Sequence, residues 1–439
     1  MMIFVFVLYS VLVGFLSNSY VLIQQAPQCL AFLVPIFLLI NLFTSCLFLK
    51  TRNKRLKICF HGTVLLVSFY ISVIASVVFH IFLAINTLPD NYMTLIWSMV
   101  LCYCVNFIIF WNGIICVYLT SQQLGIKIRV VGIICGMIPI ANLIALFFII
   151  KTTAGECLFE IKKERINANR FDQSICSTKY PILLVHGVFF RDTQYFNYWG
   201  RIPKELETNG ATVFYGNHSS AASIADSAAE IKTRIAEVLS ETGAEKVNII
   251  AHSKGGLDCR YAIANLGIGE QVASLTTINT PHRGCLFADY LLTQFSPKIK
   301  DKVANTYNAA LRKFGDSNPD FLAAVQDLTN ASCQQMFAEM PTPQGIYCQS
   351  VGSVLTKATG GKFPLNLSYH LVKHYSSKND GLVSEQSFKW GENYILLRSQ
   401  EKRGISHGDM IDLNRQNFKG FDVREFYVQL VSDLKNKGL

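Results

Sequence analysis

The sequence predicts an α-helical membrane region followed by an α/β domain, whose sheet is mostly parallel with helices on both faces. Three observations predict it. Charge is divided unevenly: residues 1–150 hold seven Lys/Arg and one acidic residue, Asp90, leaving 33 of the 40 basic and 29 of the 30 acidic residues to 151–439. The first part is a succession of apolar runs, whereas the second has the charge density of a soluble domain. Within that second part, short apolar runs alternate with segments of helical spacing, the pattern of strands wound through helices. The formal +10 divides into +6 and +4 with no dense basic run in the soluble part. That balance excludes a nucleic-acid partner.

A helix needs about 20 apolar residues to cross the hydrocarbon core. Five runs qualify: Ile3–Ile23, Cys29–Leu49, Ile58–Ile85, Met93–Leu119 and Val130–Ile150. Ser17, Asn18 and Ser19 interrupt the first, which has no basic residue ahead of its apolar core and so does not read as a cleavable signal peptide. Lys50, Arg52, Lys54, Arg55 and Lys57 follow the second run, and Lys127 and Arg129 follow the fourth. Basic loops face the cytoplasm. Counting spans from there predicts a multi-pass cell-membrane protein whose second half lies on the extracytoplasmic side. Lys151, Lys162, Lys163 and Arg165 argue the other way. His80, Asn106, Asn112 and Asn142 fall inside the runs, where polar groups join neighbouring helices. No charged residue sits centrally in a run, so no transport signature is present.

Residues 151–179 are charged, lack clear periodicity and read as a linker. The catalytic domain is expected over 180–439. Strands are expected at 181–187, 246–251, 272–280, 345–353 and 393–399, with helices over 223–243 and from Gly255 onward. Residues 286–344 break the alternation with several short helices, an insertion whose length suits a lid and equally a fixed helical excursion. Six cysteines follow residue 150 (Cys157, Cys176, Cys259, Cys285, Cys333 and Cys348), a number that permits disulfides and also suits small buried hydrophobes.

The stretch "NIIAHSKGG" carries the chemistry. A strand that turns sharply into a helix presents a serine as a nucleophile when small residues sit two before and two after it. Ala251 and Gly255 occupy those places around Ser253, with His252 and Gly256 completing the turn. The same residues also suit a helix-capping serine, so the remaining partners decide. A serine needs a base, and in this architecture the acid and then the base follow the nucleophile along the chain. Asp380 in "NDGLVS" is the candidate acid, with Glu385 as the fallback. After Asp380 the only histidine is His407, a few residues past the last expected strand. His370 and His374 precede the acid and read as surface residues, and His282 as a structural or pocket-lining residue. Oxyanion donors are expected from the Lys254 N–H directly after the nucleophile and from the Val188 N–H, after Gly187 at the end of the first strand.

"YPILLVHG", "NIIAHSKGG", "TTINTPHRG", "NDGLVS" and "ISHGDMIDL" resemble, in order and rough spacing, the bacterial true-lipase family of triacylglycerol lipases within the α/β-hydrolases, over roughly residues 180–435, about 60% of the chain. The resemblance implies a Ser253–His407–Asp380 triad, Val188 and Lys254 as oxyanion donors, a mobile lid within 286–344, and hydrolysis of lipid acyl esters beside a bilayer with no cofactor. The same site would also serve a phospholipase, a lipid acyltransferase or a lipid-anchor deacylase; an inactive hydrolase domain would make the protein a membrane scaffold. Relatives of this family often carry a structural calcium near the catalytic histidine. Asp409 matches one of its ligands, but the second has no counterpart, since no acidic residue lies between Glu339 and Asp380. Asp409 then reads as a charge at a helix N-terminus.

Overall fold

The computed structural model describes the chain apart from Met1 and residues 88–90, 137, 139, 189–196, 314–315, 317–318, 363–364 and 377. It divides into two units, Met1–Ala168 and Asn169–Leu439.

The first unit is helical: α1 (Met2–Ser17), α2 (Tyr20–Gln25), α3 (Leu30–Phe48), α4 (Lys54–Thr87), α5 (Tyr92–Thr120), α6 (Ile126–Cys135) and α7 (Ala141–Arg170), which continues into the second unit. The first expected run breaks where Ser17, Asn18 and Ser19 interrupt it, between α1 and α2. Among the described residues two helices, α4 and α5, are long and apolar enough to cross a membrane. They pair antiparallel: Phe69 meets Phe110 with ring centroids 5.1 Å apart, and His80 Nε2 meets Ser98 Oγ at 3.1 Å. Close approach is set by glycine, since a Cβ on Gly62 would come 2.6 Å from Cys116 Cβ. The expected polar contacts between helices are present. Asn106 donates to Ser17 Oγ at 3.0 Å, and Asn112 donates to the Asn41 carbonyl at 2.8 Å. Large apolar side chains face outward along both long helices, among them Val78, Phe82 and Ile85 on α4 and Tyr103, Trp111 and Leu119 on α5.

The fifth expected run is not one helix. Val130–Ile150 is divided between α6 and α7, and α7 continues helically to Arg170 through residues read as linker. The break itself is local. The chain turns at Gly136 and Ile140, the latter with φ at +66°, before α7 begins. α7 then runs back along α4 and α5. Leu146 and Ile149 pack with Leu66 and Val117. One helical stretch further on, Glu156 accepts hydrogen bonds from Arg55 Nη1, from Ser121 Oγ at 2.6 Å and from the Gln122 N–H at 3.1 Å. Thr51 Oγ1 donates to Glu164 at 2.7 Å. The start of α4, the end of α5 and the last third of α7 therefore share one end of this unit. The run Val130–Ile150, expected as one span, is thus two helices with a turn between them.

The second unit is an α/β domain. Six parallel strands lie in the order β2-β1-β3-β4-β5-β6: β1 (Ile182–Val185), β2 (Val213–Tyr215), β3 (Val247–His252), β4 (Val272–Ile278), β5 (Tyr347–Ser353) and β6 (Asn393–Leu397). The central strands β3, β4 and β5 are buried on both faces, as a sheet covered on both sides requires, with Asn248, Thr276 and Gln349 among their buried polar residues. Ile182 and Leu184 of β1 point into a core with Trp199, α8 (Ile202–Thr208) and α17 (Val423–Asn436). Leu183 and Val185 point the other way, against α9 (Ile224–Thr242) and α10 (Lys254–Asn265). The helix expected over 223–243 is α9, capped by Ser223 Oγ on the Asp226 N–H and closed by Gly243 at φ +68°.

The insertion after β4 is helical, as expected: α11 (Leu286–Gln294), α12 (Pro297–Lys313), α13 (Phe321–Asp327) and α14 (Asn330–Glu339). α15 (Leu365–Tyr375) and α16 (Glu385–Phe388) complete the domain. α11 and α12, with the link between them, leave Tyr290, Phe295, Ile299 and Val303 exposed. The six cysteines after residue 150 are all buried free thiols.

Candidate functional site

β3 hands over to α10 at Ser253. Its backbone has φ +54° and ψ −129°, a conformation costing a non-glycine residue on the order of 1–3 kcal/mol. Two hydrogen bonds hold the turn: the Ser253 N–H donates to the Ile278 carbonyl at 2.9 Å, and the Ser253 carbonyl accepts from the Gly256 N–H at 3.1 Å. The small residues have specific neighbours. A Cβ on Gly255 would collide with the His186 carbonyl, and one on Gly256 with the Thr280 hydroxyl. One on Gly187 would stand 2.8 Å from Ser253 Cβ. The end of β1 is therefore pressed against the elbow. Ala251 is wholly buried inside β3.

The Lys254 N–H opens α10, where the first amides of a helix have no intrahelical acceptor, and it has no acceptor among the described residues. The Lys254 side chain turns away and is buried, with Nζ donating to Asp258 Oδ1 at 2.7 Å and Ser227 Oγ at 2.9 Å. Burial pushes the Asp258 carboxyl up to about 7 against the pull of Lys254. Only the backbone of Lys254 is available to a ligand. Val188, the other expected donor, is buried directly after Gly187; the loop that continues from it, 189–196, lies outside the described residues.

Asp380 and His407 meet. His407 Nδ1 donates to Asp380 Oδ2 at 2.6 Å, and the His407 N–H donates to the Asp380 carbonyl at 2.8 Å. Asp380 is fully buried, and its carboxylate is saturated by its surroundings. The Leu382 and Val383 amides donate to Oδ1 at 2.9 and 2.8 Å, and Asn279 Nδ2 donates to Oδ2 at 2.6 Å. Glu385, the fallback acid, pairs instead with Lys378 at 3.3 Å. The His407 ring lies beside the elbow, its centroid 4.5 Å from that of His252. No hydrogen bond joins Ser253 Oγ to that ring among the described residues. Catalytic hydrogen bonds of this kind are often long before substrate arrives.

His252 is locked by Tyr198, whose hydroxyl lies 2.7 Å from Nδ1, and burial lowers its pKa well below the ordinary value, so it stays neutral beside His407. His282 sits away from the triad candidates between Arg260 (3.1 Å) and Thr277 Oγ1 (2.9 Å). It is fully buried there, a place that suits the structural role named for it beside the pocket-lining one. Asn279 was not singled out by sequence. Its signal is a short amide directly after a buried strand, at φ +47°, a region asparagine tolerates better than most residues.

The carboxylate of Asp409, the calcium candidate, is engaged by protein donors. Oδ1 accepts from Arg403 Nη2 at 2.9 Å, and Oδ2 accepts from the Ser406 N–H and hydroxyl at 2.8 and 2.7 Å. A carboxylate spent on its own turn and on a guanidinium has little to offer a cation. Among the described residues no group of three His, Cys, Asp or Glu could hold a metal. Asp409 opens a short 3-10 helix, consistent with the helix-terminal reading.

The Gly255 contact is testable. Gly255→Ala drives a methyl group into the His186 carbonyl, an overpacking cost of about 1–3 kcal/mol. The thermal midpoint of the full chain should fall by at least ~2 °C; an unchanged midpoint would show that the turn has slack.

Residues 179–280 match the family described as Lipase (class 2). The triacylglycerol lipases of Pseudarthrobacter phenanthrenivorans and Burkholderia plantarii are each 36% identical over 168 residues, which is 35% of this chain and 52% and 46% of theirs. The chain thus spans about half the length of those two. The triacylglycerol lipase of Vibrio cholerae serotype O1 is 38% identical over 293 residues, covering 61% of this chain and 91% of that protein. With that coverage over a six-stranded parallel sheet and a strand-to-helix serine turn, the chain belongs to the triacylglycerol lipase family of α/β-hydrolases.

Proposed function

We propose that the protein is a membrane-anchored carboxylic ester hydrolase acting on acyl esters of lipids through Ser253, His407 and Asp380. One observation carries this reading: the buried Asp380–His407 pair stands beside the strained turn that presents Ser253. Ser253 Oγ attacks the ester carbonyl as the His407 ring takes its proton. Asp380 keeps Nδ1 protonated and stabilises the imidazolium that forms. The Lys254 and Val188 amides hold the oxyanion. The alcohol leaves with the proton from His407, and water then cleaves the acyl-enzyme by the same steps in reverse order. No cofactor enters. The exposed apolar residues of α11 and α12 support a lid that meets a lipid substrate.

In a p-nitrophenyl ester assay, Ser253→Ala should lower kcat by at least ~10⁴-fold; unchanged turnover would exclude this serine. Asn279→Gly keeps the backbone freedom but removes the amide from Asp380. A hydrogen bond to a charged group is worth roughly 1.5–3 kcal/mol, so kcat should fall about 10- to 100-fold with little change in KM. A loss confined to KM would assign Asn279 to substrate binding.

The anchoring is supported by the length of α4 and α5 and by their outward apolar faces. The side is supported by the polar contacts at one end of the first unit. Both basic loops lie there, through Thr51, Arg55 and Ser121, and so do Glu156 and Glu164 of α7. Because basic loops face the cytoplasm, the chain leaves α7 on the cytoplasmic side. This reading is an alternative to the extracytoplasmic expectation, needs one crossing fewer, and accords with Lys151, Lys162, Lys163 and Arg165. A protease-sensitive C-terminal tag should be protected in intact cells and cut after permeabilisation. Cutting in intact cells would reverse the side; release of the protein by alkaline carbonate would remove the anchor.

A further inference from the structure

A second polar centre lies in the α/β unit, away from the elbow. Arg260 is six residues beyond Lys254 on α10, about 9 Å along the helix axis. Its side chain is 3% exposed. Nη1 donates to His282 Nδ1 at 3.1 Å and Nη2 to the Met340 carbonyl at 2.7 Å. The guanidinium stacks at 5.0 Å over both Phe337 and Trp390. A guanidinium carries five N–H donors, and the other three have no acceptor among the described residues.

The charge balance is the anomaly. Buried ions are ordinarily paired, because taking one out of water costs several kcal/mol. No carboxylate lies within ion-pairing distance of Arg260 among the described residues. The nearest charge is of the same sign: the Arg283 guanidinium lies over the same Phe337 ring at 4.6 Å. Burial first, and Arg283 in addition, bring the Arg260 pKa down to about 10. His282 offers no compensation. Burial and the two arginines hold it well below its usual value, so it is neutral.

Arg260 also lines a cavity of about 210 Å³. Ile263, Leu275, Met340, Pro341 and Trp390 give it an apolar side, and Ala264 and the polar Asn265 lie at its exposed mouth. An apolar cavity of about 150 Å³ accepts a benzene-sized guest, so this one has room for a short hydrocarbon chain. Glu339 is on the rim, exposed, and accepts from Gln335 Nε2 at 2.9 Å rather than from Arg260.

We propose that this cavity binds a small alkyl carboxylate, its head on the free N–H groups of Arg260 and its chain along the apolar side. The planar fork of a guanidinium matches a carboxylate in bidentate geometry, and the apolar side selects an anion with a hydrocarbon tail over a bare inorganic one. Carboxylic acids are what an ester hydrolase releases, but binding here requires no turnover and stands independently of Ser253.

The test is isothermal titration of the full chain in detergent, carrying Ser253→Ala, with sodium hexanoate and with hexan-1-ol against a detergent blank. Saturable hexanoate binding is expected without matching hexanol binding. Arg260→Gln should weaken it by at least ~10-fold, the value of a hydrogen-bonded charge. Ala264→Trp, which closes the mouth while leaving Arg260 in place, should abolish it with an unchanged melting point. Absence of saturable binding in the parent protein would overturn the site, as would equal binding of hexanol or undiminished binding in Arg260→Gln. Hexanoate binding that appears only in Glu339→Gln would also overturn it, by making Glu339 the counter-charge.

Discussion

A single turn of backbone organises the α/β half of this protein. Ser253 holds a positive φ that its side chain disfavours, and the strain persists because the surroundings leave no alternative. The β4 carbonyl of Ile278 fixes its N–H, and the end of β1 leaves room for no side chain at Gly187 or Gly255. The cost is spread over a sheet whose core strands are buried on both faces. Relaxing the turn would require moving β1 or β4, and with them the two clusters that flank the sheet. Strain that the packing over-determines in this way is how a hydroxyl is held outward at the edge of a rigid scaffold.

Two buried carboxylates do comparable work in the two units. Asp380 receives two backbone amides, an asparagine amide and an imidazole N–H. Glu156 receives an arginine, a serine hydroxyl and backbone amides. A carboxylate removed from water is tolerable only when donors replace its hydration, so each gathers chain segments far apart in sequence. At Asp380 the result is an oriented imidazole. At Glu156 it is one common end for α4, α5 and α7. Arg260 is the converse case, a buried cation for which the fold provides rings, a carbonyl and a neutral imidazole but no opposite charge.

Much of this was legible from residue order alone. Five of the six strands, the helix over 223–243, the helical insertion and the serine turn follow from apolar runs, helical spacing and glycine placement, all local properties. β2 was missed because three residues on a sheet edge, half-buried, carry too little pattern to read. Asn279 was missed because nothing local says that its amide will meet a carboxylate 101 residues away. That the run 130–150 is two helices rather than the one expected has the opposite reason. Its composition is apolar enough to span, but a turn near Gly136 and the long-range grip of Arg55 and Ser121 on Glu156 send α7 back to the end from which α6 started.

Sequence by itself determined the division into an apolar helical half and an α/β half, the position of the sharp turn, and the order in which serine, aspartate and histidine follow one another. Those depend on hydrophobic period, on small residues at a crowded turn, and on chain order. Only the tertiary structure decided which donors surround Asp380, that Asp409 is committed to Arg403 and Ser406, where α7 ends, and that Arg260 is buried without a counter-ion. Each is a meeting of groups tens or hundreds of residues apart. Desolvation and hydrogen-bond geometry settle such meetings, and neither is written in any local pattern.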